Sequence, residues 1–132
     1  MTWTPNDQEI AALVKRDTQV RVEYFIHKVV DADRLILLTD GDDGTVLYGT
    51  DDGREAVPVW PHEKYALLCA VGPWTAARPE VVALSDWMHY WVPGMQRDGR
   101  IVAVFPVPSS PASTFSPEHV AKMLAAEDEK YS

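Results

Sequence analysis

The chain has 132 residues, 46% of them apolar and 24% charged, enough to bury a core without disulfides or a structural metal. Twenty Asp and Glu against twelve Lys and Arg leave a formal net charge of −8, which repels phosphate backbones and anionic lipid and so argues against nucleic acid or membrane as partner. One cysteine, Cys69, excludes an internal disulfide and a cysteine-rich metal site, and the absence of a signal-peptide pattern or a bilayer-length apolar run makes the cytoplasm the expected location.

Thr4-Pro5-Asn6-Asp7 reads as a helix start with Thr4 as cap, followed by Ile10, Leu13 and Val14 on one face. Around Val20 the pattern fits both a strand (Val20, Val22, Tyr24, Ile26) and a helix (Val22, Phe25, Ile26, Val29, Val30). The helix is preferred, because it places more of the apolar residues on one stripe. Leu35-Ile36-Leu37-Leu38 reads as a buried strand, and Asp40-Gly41-Asp42-Asp43-Gly44 as the turn after it. Thr45-Val46-Leu47-Tyr48 is the expected return strand. A second turn at Asp51-Asp52-Gly53 leads to Ala56-Val57-Pro58-Val59-Trp60, completing a three-strand antiparallel meander. Pro58 cannot donate to a ladder, which puts the third strand at an edge or leaving the sheet.

Pro61 suits the first position of a helix with Tyr65, Leu68 and Cys69 on one face, stopped by Gly72-Pro73. Val81-Val82-Ala83-Leu84 is a short strand. Ser85 and Asp86 open a helix whose Leu84, Trp87, Met88, Trp91 and Met95 share a face, broken or kinked at Pro93-Gly94 and ended near Gly99. Ile101-Val102-Ala103-Val104-Phe105 is a strand, and the Pro/Ser-rich stretch 106–115 a loop. Ser116-Pro117-Glu118 then caps a last helix with Val120, Met123 and Leu124 inward, whose acidic end, Glu127-Asp128-Glu129, opposes the helix dipole and frays. These elements predict a single α+β domain over residues 1–132, an antiparallel sheet with about five helices.

Acidity is the most uneven feature. Asp31, Asp33, Asp40, Asp42, Asp43, Asp51, Asp52 and Glu55 face only Arg34 and Arg54, so this segment alone carries 2 − 8 = −6. Turn aspartates chosen for backbone geometry explain this, and so does an acidic patch that steers a basic protein partner. The calcium reading fails: from Asp40 the sixth residue is Thr45 and the twelfth Asp51, where an EF-hand needs glycine and glutamate. His27, His62, His89 and His119 stand singly, and His62-Glu63 lacks the second histidine of a zincin motif. No phosphate loop or nucleophile elbow is present, so no catalytic residue, metal or cofactor is expected. Among the aromatics, Trp87 and Trp91 lie one turn apart. Trp60 and Trp74 serve as core residues or as partly exposed anchors of an interface, with His62 as polar neighbour.

The segment Pro58-Val59-Trp60-Pro61-His62-Glu63-Lys64-Tyr65-Ala66, with Tyr24-Phe25-Ile26, Trp91-Val92-Pro93-Gly94-Met95 and Val102-Ala103-Val104-Phe105-Pro106, resembles a small bacterial family, the 2750 domain of unknown function. The resemblance runs from about Glu23 to about Glu118 and implies no catalytic residue. More distantly, the strand-to-helix step through Val57-Pro58-Val59-Trp60 is similar to the amino-terminal region of SseB-type enhanced serine sensitivity proteins.

The expectation drawn from these readings is a protein-binding module whose contacts are Trp60, His62, Trp74, Asp42, Asp43, Asp51, Asp52 and Glu55. One form of it is an immunity-type protein that covers a basic toxin's active site. The alternative is a small-ligand binder or enzyme with a pocket around Trp60, His62 and Tyr65.

Overall fold

A computed structural model of the chain describes residues 3–40, 44–50 and 52–130. Along it run α1 (Asp7–Val14), α2 (Thr18–Ala32), β1 (Arg34–Thr39), β2 (Tyr48–Gly49), β3 (Glu55–Val59), α3 (Glu63–Leu68) and β4 (Arg78–Ala83). Then come α4 (Leu84–Asp86), a π-helical turn (Trp87–Trp91), α5 (Val92–Asp98), β5 (Ile101–Val104), β6 (Ser113–Phe115) and α6 (Pro117–Glu129). Because α4, the π turn and α5 form one continuous rod, the α+β class holds with five helical rods and two sheets among the described residues.

Local signals place the helices. Asp17 caps α2 by accepting from Val20 N, and Val22, Phe25, Ile26 and Val29 form its buried stripe, which settles the helix-or-strand ambiguity. Ser116 caps α6 in the same way, with Val120 and Leu124 buried. The first cap differs from expectation: Asn6, not Thr4, accepts from Glu9 N at 2.8 Å, and Pro5 lies buried in extended chain before it. Glu63, not Pro61, takes the first position of α3, with His62 as its cap, and Leu68 turns outward while Tyr65 and Cys69 stay buried. The acidic end of α6 is helical through Glu129, with Glu127 reaching His27 Nδ1 at 3.2 Å and Lys130 Nζ at 3.1 Å.

Only half of the meander forms: β2 pairs antiparallel with β3 as expected, but β1 leaves for another sheet. β1 pairs antiparallel with β4, Ile36 opposite Val81, while the second sheet has the order β2-β3-β5-β6 with β3 and β5 parallel. After β1 the chain returns only briefly, through Asp40 N to Gly44 O and Val46 N to Leu38 O. It then moves away, so the expected return strand 45–48 shrinks to Tyr48–Gly49. Leu35, Ile36, Leu37 and Leu38 are all 0% exposed, and covering both faces of β1 takes elements distant in sequence. The parallel pair requires a long crossover, supplied here by everything between Val59 and Ile101. Part of the stretch 106–115 joins as β6, against β5.

Pro58 sits inside this sheet and not at its edge. Along β3, Ala56 pairs with Tyr48 of β2, and two residues past Pro58 the Trp60 N–H and C=O both bond Ile36 of β1 at 2.9 Å. Alternation aims the Pro58 nitrogen at the same side, between the end of β2 and the start of the β1 contact, where no donor is needed. Val57, Val59, Val102 and Val104 enter the main core, whereas Ala56, Ile101 and Ala103 face a smaller cluster with Tyr48 and Ala112.

Pro93 does not break its helix. A proline has no N–H and its ring crowds the carbonyl four residues back; the preceding turn widens instead, Val92 N bonding Trp87 O five residues earlier. That π turn stacks Trp87 on Trp91 at 6.2 Å and 17°.

Candidate functional site

The structure separates the two candidate tryptophans. Trp60 is 0% exposed and its Nε1 donates to Pro106 O at 2.9 Å, so it is a core residue and not the exposed anchor. His62 and Tyr65 are also buried, 6% and 1% exposed, and the Tyr65 ring packs on Phe105 at 4.8 Å. Trp60, His62 and Tyr65 are therefore packed and line none of the open hollows described below, so the expected pocket is not an open cleft. Trp74 keeps a partly open face, its ring 6.5 Å from Trp60 and 6.4 Å from Tyr48.

His62 Nδ1 accepts from Lys64 N at 3.1 Å, which leaves the proton of the neutral ring on Nε2. Burial lowers its pKa, Arg34 and Lys64 act in the same sense, and Glu63 opposes them. The fold thus holds His62 neutral. Below the ordinary value of 6.5 the unfolded chain takes up a proton that the folded chain resists, so stability falls as the pH drops through and below that value. Asparagine caps as well and does not titrate. In urea unfolding from about pH 7.5 to about pH 5.5, H62N should lose less stability than the parent chain; parallel losses would refute the assignment. Burial also pushes the Cys69 thiol up to about 11, and its Sγ donates to Pro106 O at 3.3 Å, the environment of an inert thiol.

Concave surface lies elsewhere. A hollow of about 470 Å³ opens under the π turn, walled by Tyr90, Trp91, Met95 and Leu47, with Asp98 and Arg100 as its charged groups. Tyr90 is 72% exposed. Through Thr45 and Leu47 this hollow adjoins one of about 340 Å³ that contains Asp40 and Trp74. Trp74 is shared in turn with one of about 450 Å³, between Val71 and the prolines at 106, 108 and 111. Tyr48 and Pro111 lead on to a last one of about 350 Å³ at Asp52 and Arg54. Each hollow shares lining residues with the next, and together they make a belt about residues 44–50 and 52–54. Leu67, Leu68 and Val71 are exposed hydrophobics on α3 and just beyond it, with Val71 itself in the belt.

The belt's charges are partly paired. Arg54 Nε meets Asp52 at 2.9 Å, and Arg100 meets Glu55 at 3.6 Å and Asp98 at 3.5 Å. With Asp40, four carboxylates face two guanidinium groups among the described residues, a balance of 2 − 4 = −2. Arg100 Nε is buried and makes no hydrogen bond; its 3.6 Å approach to Glu55 is an ion pair longer than a hydrogen bond. Of the acidic residues singled out, Asp52 and Glu55 are exposed and belong to this belt or to its ion pairs; Asp42, Asp43 and Asp51 lie outside the described residues. Among the described residues no three His, Cys, Asp or Glu side chains gather as a metal site, and no helix is long and apolar enough to cross a membrane.

Sequence reasoning missed Tyr48, Tyr90 and Arg100 as surface features. Tyr90 had a signal, since it falls off the stripe of Trp87, Trp91 and Met95; the other two had none. No curated protein and no solved structure matches the chain, so the likeness to SseB-type proteins has no support. The family model described as Protein of unknown function (DUF2750) matches residues 22–124. That span runs from α2 into α6 and takes in both sheets and the whole belt, and the chain belongs to the DUF2750 family.

Proposed function

We propose that this chain is a protein-binding module that receives a basic partner along the belt from Tyr90 to Asp52. The observation that carries the reading is the succession of four hollows, each sharing lining residues with the next: an extended row with separate aromatic stations suits a polypeptide surface more than one compact molecule. Tyr90 and Trp74 supply the large amphipathic rings on which interface energy concentrates. The negative balance, with the chain's net charge of −8, accelerates and orients the approach of a positive partner. An immunity-type role, covering the active site of a basic toxin, is one form of this reading.

The test is site-specific photocrosslinking in the native host. A photoreactive residue at position 90 and another at position 74 are expected to trap the same protein, while one at Lys122, which lines none of the hollows, traps it at neither. Charge reversal at Asp40, Asp52 and Glu55 together should slow association about tenfold or more at low salt, with the difference shrinking as salt rises. Different proteins trapped from positions 90 and 74, or an association rate indifferent to charge, would end the reading.

A second reading is favoured by the hollow under the π turn alone, whose volume of about 470 Å³ and apolar walls around Asp98 and Arg100 fit a small molecule with a few polar groups. Trp74→Ala separates the two: it weakens a polypeptide that spans the belt and leaves a ligand confined near Arg100 untouched.

A further inference from the structure

On the side of α2 that carries Tyr24, the segment before that helix lies across a group of polar side chains. The Tyr24 hydroxyl donates to the carboxylate of Glu9 in α1, and the Tyr65 hydroxyl, on a ring only 1% exposed, lies 2.9 Å from that of Tyr24. An ionised carboxylate only accepts, so the bonds run in one direction, Tyr65 to Tyr24 to Glu9. Such a charge-terminated chain is stronger than its neutral links alone. Burial raises both phenols, Tyr65 up to about 12, which keeps them as donors.

Next to Glu9 the same segment places an indole. The Trp3 ring meets Tyr24 edge-on at 6.0 Å and His62 at 5.3 Å, beneath Lys28 Nζ at 4.6 Å. Lys64 Nζ donates to Pro5 O at 3.3 Å. In a strongly acidic chain, two lysines border this one spot. Tyr24, Lys28, His62, Lys64 and Tyr65 all fall within the DUF2750 match, whereas Trp3, Pro5 and Glu9 precede it.

We infer that the Tyr24–Tyr65 hydroxyl pair, bordered by Lys28 and His62, is a binding site for a small aromatic carboxylate, and that Trp3 and Glu9 fill it as a built-in substitute ligand. The carboxylate takes the place of Glu9 on the Tyr24 hydroxyl. Its ring takes the place of the Trp3 indole between Lys28 and His62. Binding displaces the strap of residues 3–14, so the site and the position of α1 are coupled. This site is separate from the belt and stands whether or not the belt binds a protein.

Indole-3-acetate, an indole with a carboxylate, is the probe. Full-length W3A/E9A is expected to bind it saturably in calorimetric titration, about tenfold or more tighter than the unsubstituted chain, since the hydrogen bond to a charged group is freed from its internal competitor. Adding Y24F removes the gain, and indole-3-ethanol, which lacks the carboxylate, binds about tenfold or more weakly. Should W3A/E9A fail to fold, the unsubstituted chain carries the test: saturating indole-3-acetate then speeds amide exchange in α1 and leaves α6 unchanged. Equal affinity of variant and parent, a gain that survives Y24F, or, in the second arm, α1 exchange indifferent to the probe overturns the proposal.

Discussion

Trp60→Ala is expected to cost about 3–5 kcal/mol of folding stability, the range for removing a buried aromatic side chain. Trp60 is 0% exposed, and its backbone makes the paired 2.9 Å bonds to Ile36 that join the two sheets. Deleting the indole leaves a void beside that junction, and the Pro106 carbonyl loses the donor it has at 2.9 Å. Against a total of about 5–15 kcal/mol for a domain of ordinary stability, the variant sits near the edge of folding. Trp60→Phe keeps most of the volume and loses the hydrogen bond, so its cost is about 1–3 kcal/mol. Urea unfolding checks both, with a lowered midpoint at unchanged slope. A Trp60→Ala chain as stable as its parent and impaired only in binding would restore the exposed-anchor expectation.

Arg21→Met should cost about 3 kcal/mol, on the scale of hydrogen bonds to a charged group. Arg21 is 1% exposed, and among the described residues its guanidinium forms no ion pair with a carboxylate. Its Nε donates to Phe105 O at 3.1 Å, Nη1 to Arg16 O at 2.8 Å, and Nη2 to Pro111 O at 2.9 Å and Ser110 Oγ at 3.5 Å. Burial lowers its pKa, with Asp17 the largest opposing influence, yet an arginine stays charged. Phe105 is held at φ 54°, a left-handed conformation that costs a non-glycine residue about 1–3 kcal/mol. The Arg21 bond, its own N–H to Val59 O at 2.8 Å and the packing of its ring on Tyr65 and Tyr24 hold it there. Through Phe105 and Pro111 the arginine also sets the proline loop that walls the middle of the belt. Lysine offers one ammonium where the guanidinium is a rigid fork, so Arg21→Lys is expected to recover less than half of the loss. Unfolding free energies and faster amide exchange at Val107, Ser109 and Ser110 test this; a loss under about 1 kcal/mol, or full rescue by lysine, contradicts it.

Arg21 also shows how far reading along the chain can go. It lies four residues before Phe25 on the stripe with Val22, Ile26 and Val29, yet sequence reasoning passed over it, because a charged arginine is rarely buried. What it would meet there was set by residues 84 to 90 positions further on. Trp60 is similar: its size made burial a standing option, and the partners that close over it, Ile36 and Pro106, come from β1 and from the loop after β5. The acidic turns pointed to the segment around which the belt runs. Its aromatic stations, Tyr48, Trp74 and Tyr90, are brought together only when that segment packs between α5 and the proline loop.

From the amino-acid order alone follow the features governed by contacts a few residues apart. These are the stripe of α2, the cap at Ser116, the apolar strands beginning at Leu35 and Ile101, and the excess of negative charge. Tertiary structure decided the pairing of β1 with β4, the parallel alignment of β3 with β5, the burial of Trp60 and the seating of Glu9 on Tyr24. The physical reason is that helical turns and caps are satisfied within a few residues, whereas buried strands and polar groups take whichever partner the whole chain delivers, and many sequence-distant partners satisfy the same local pattern.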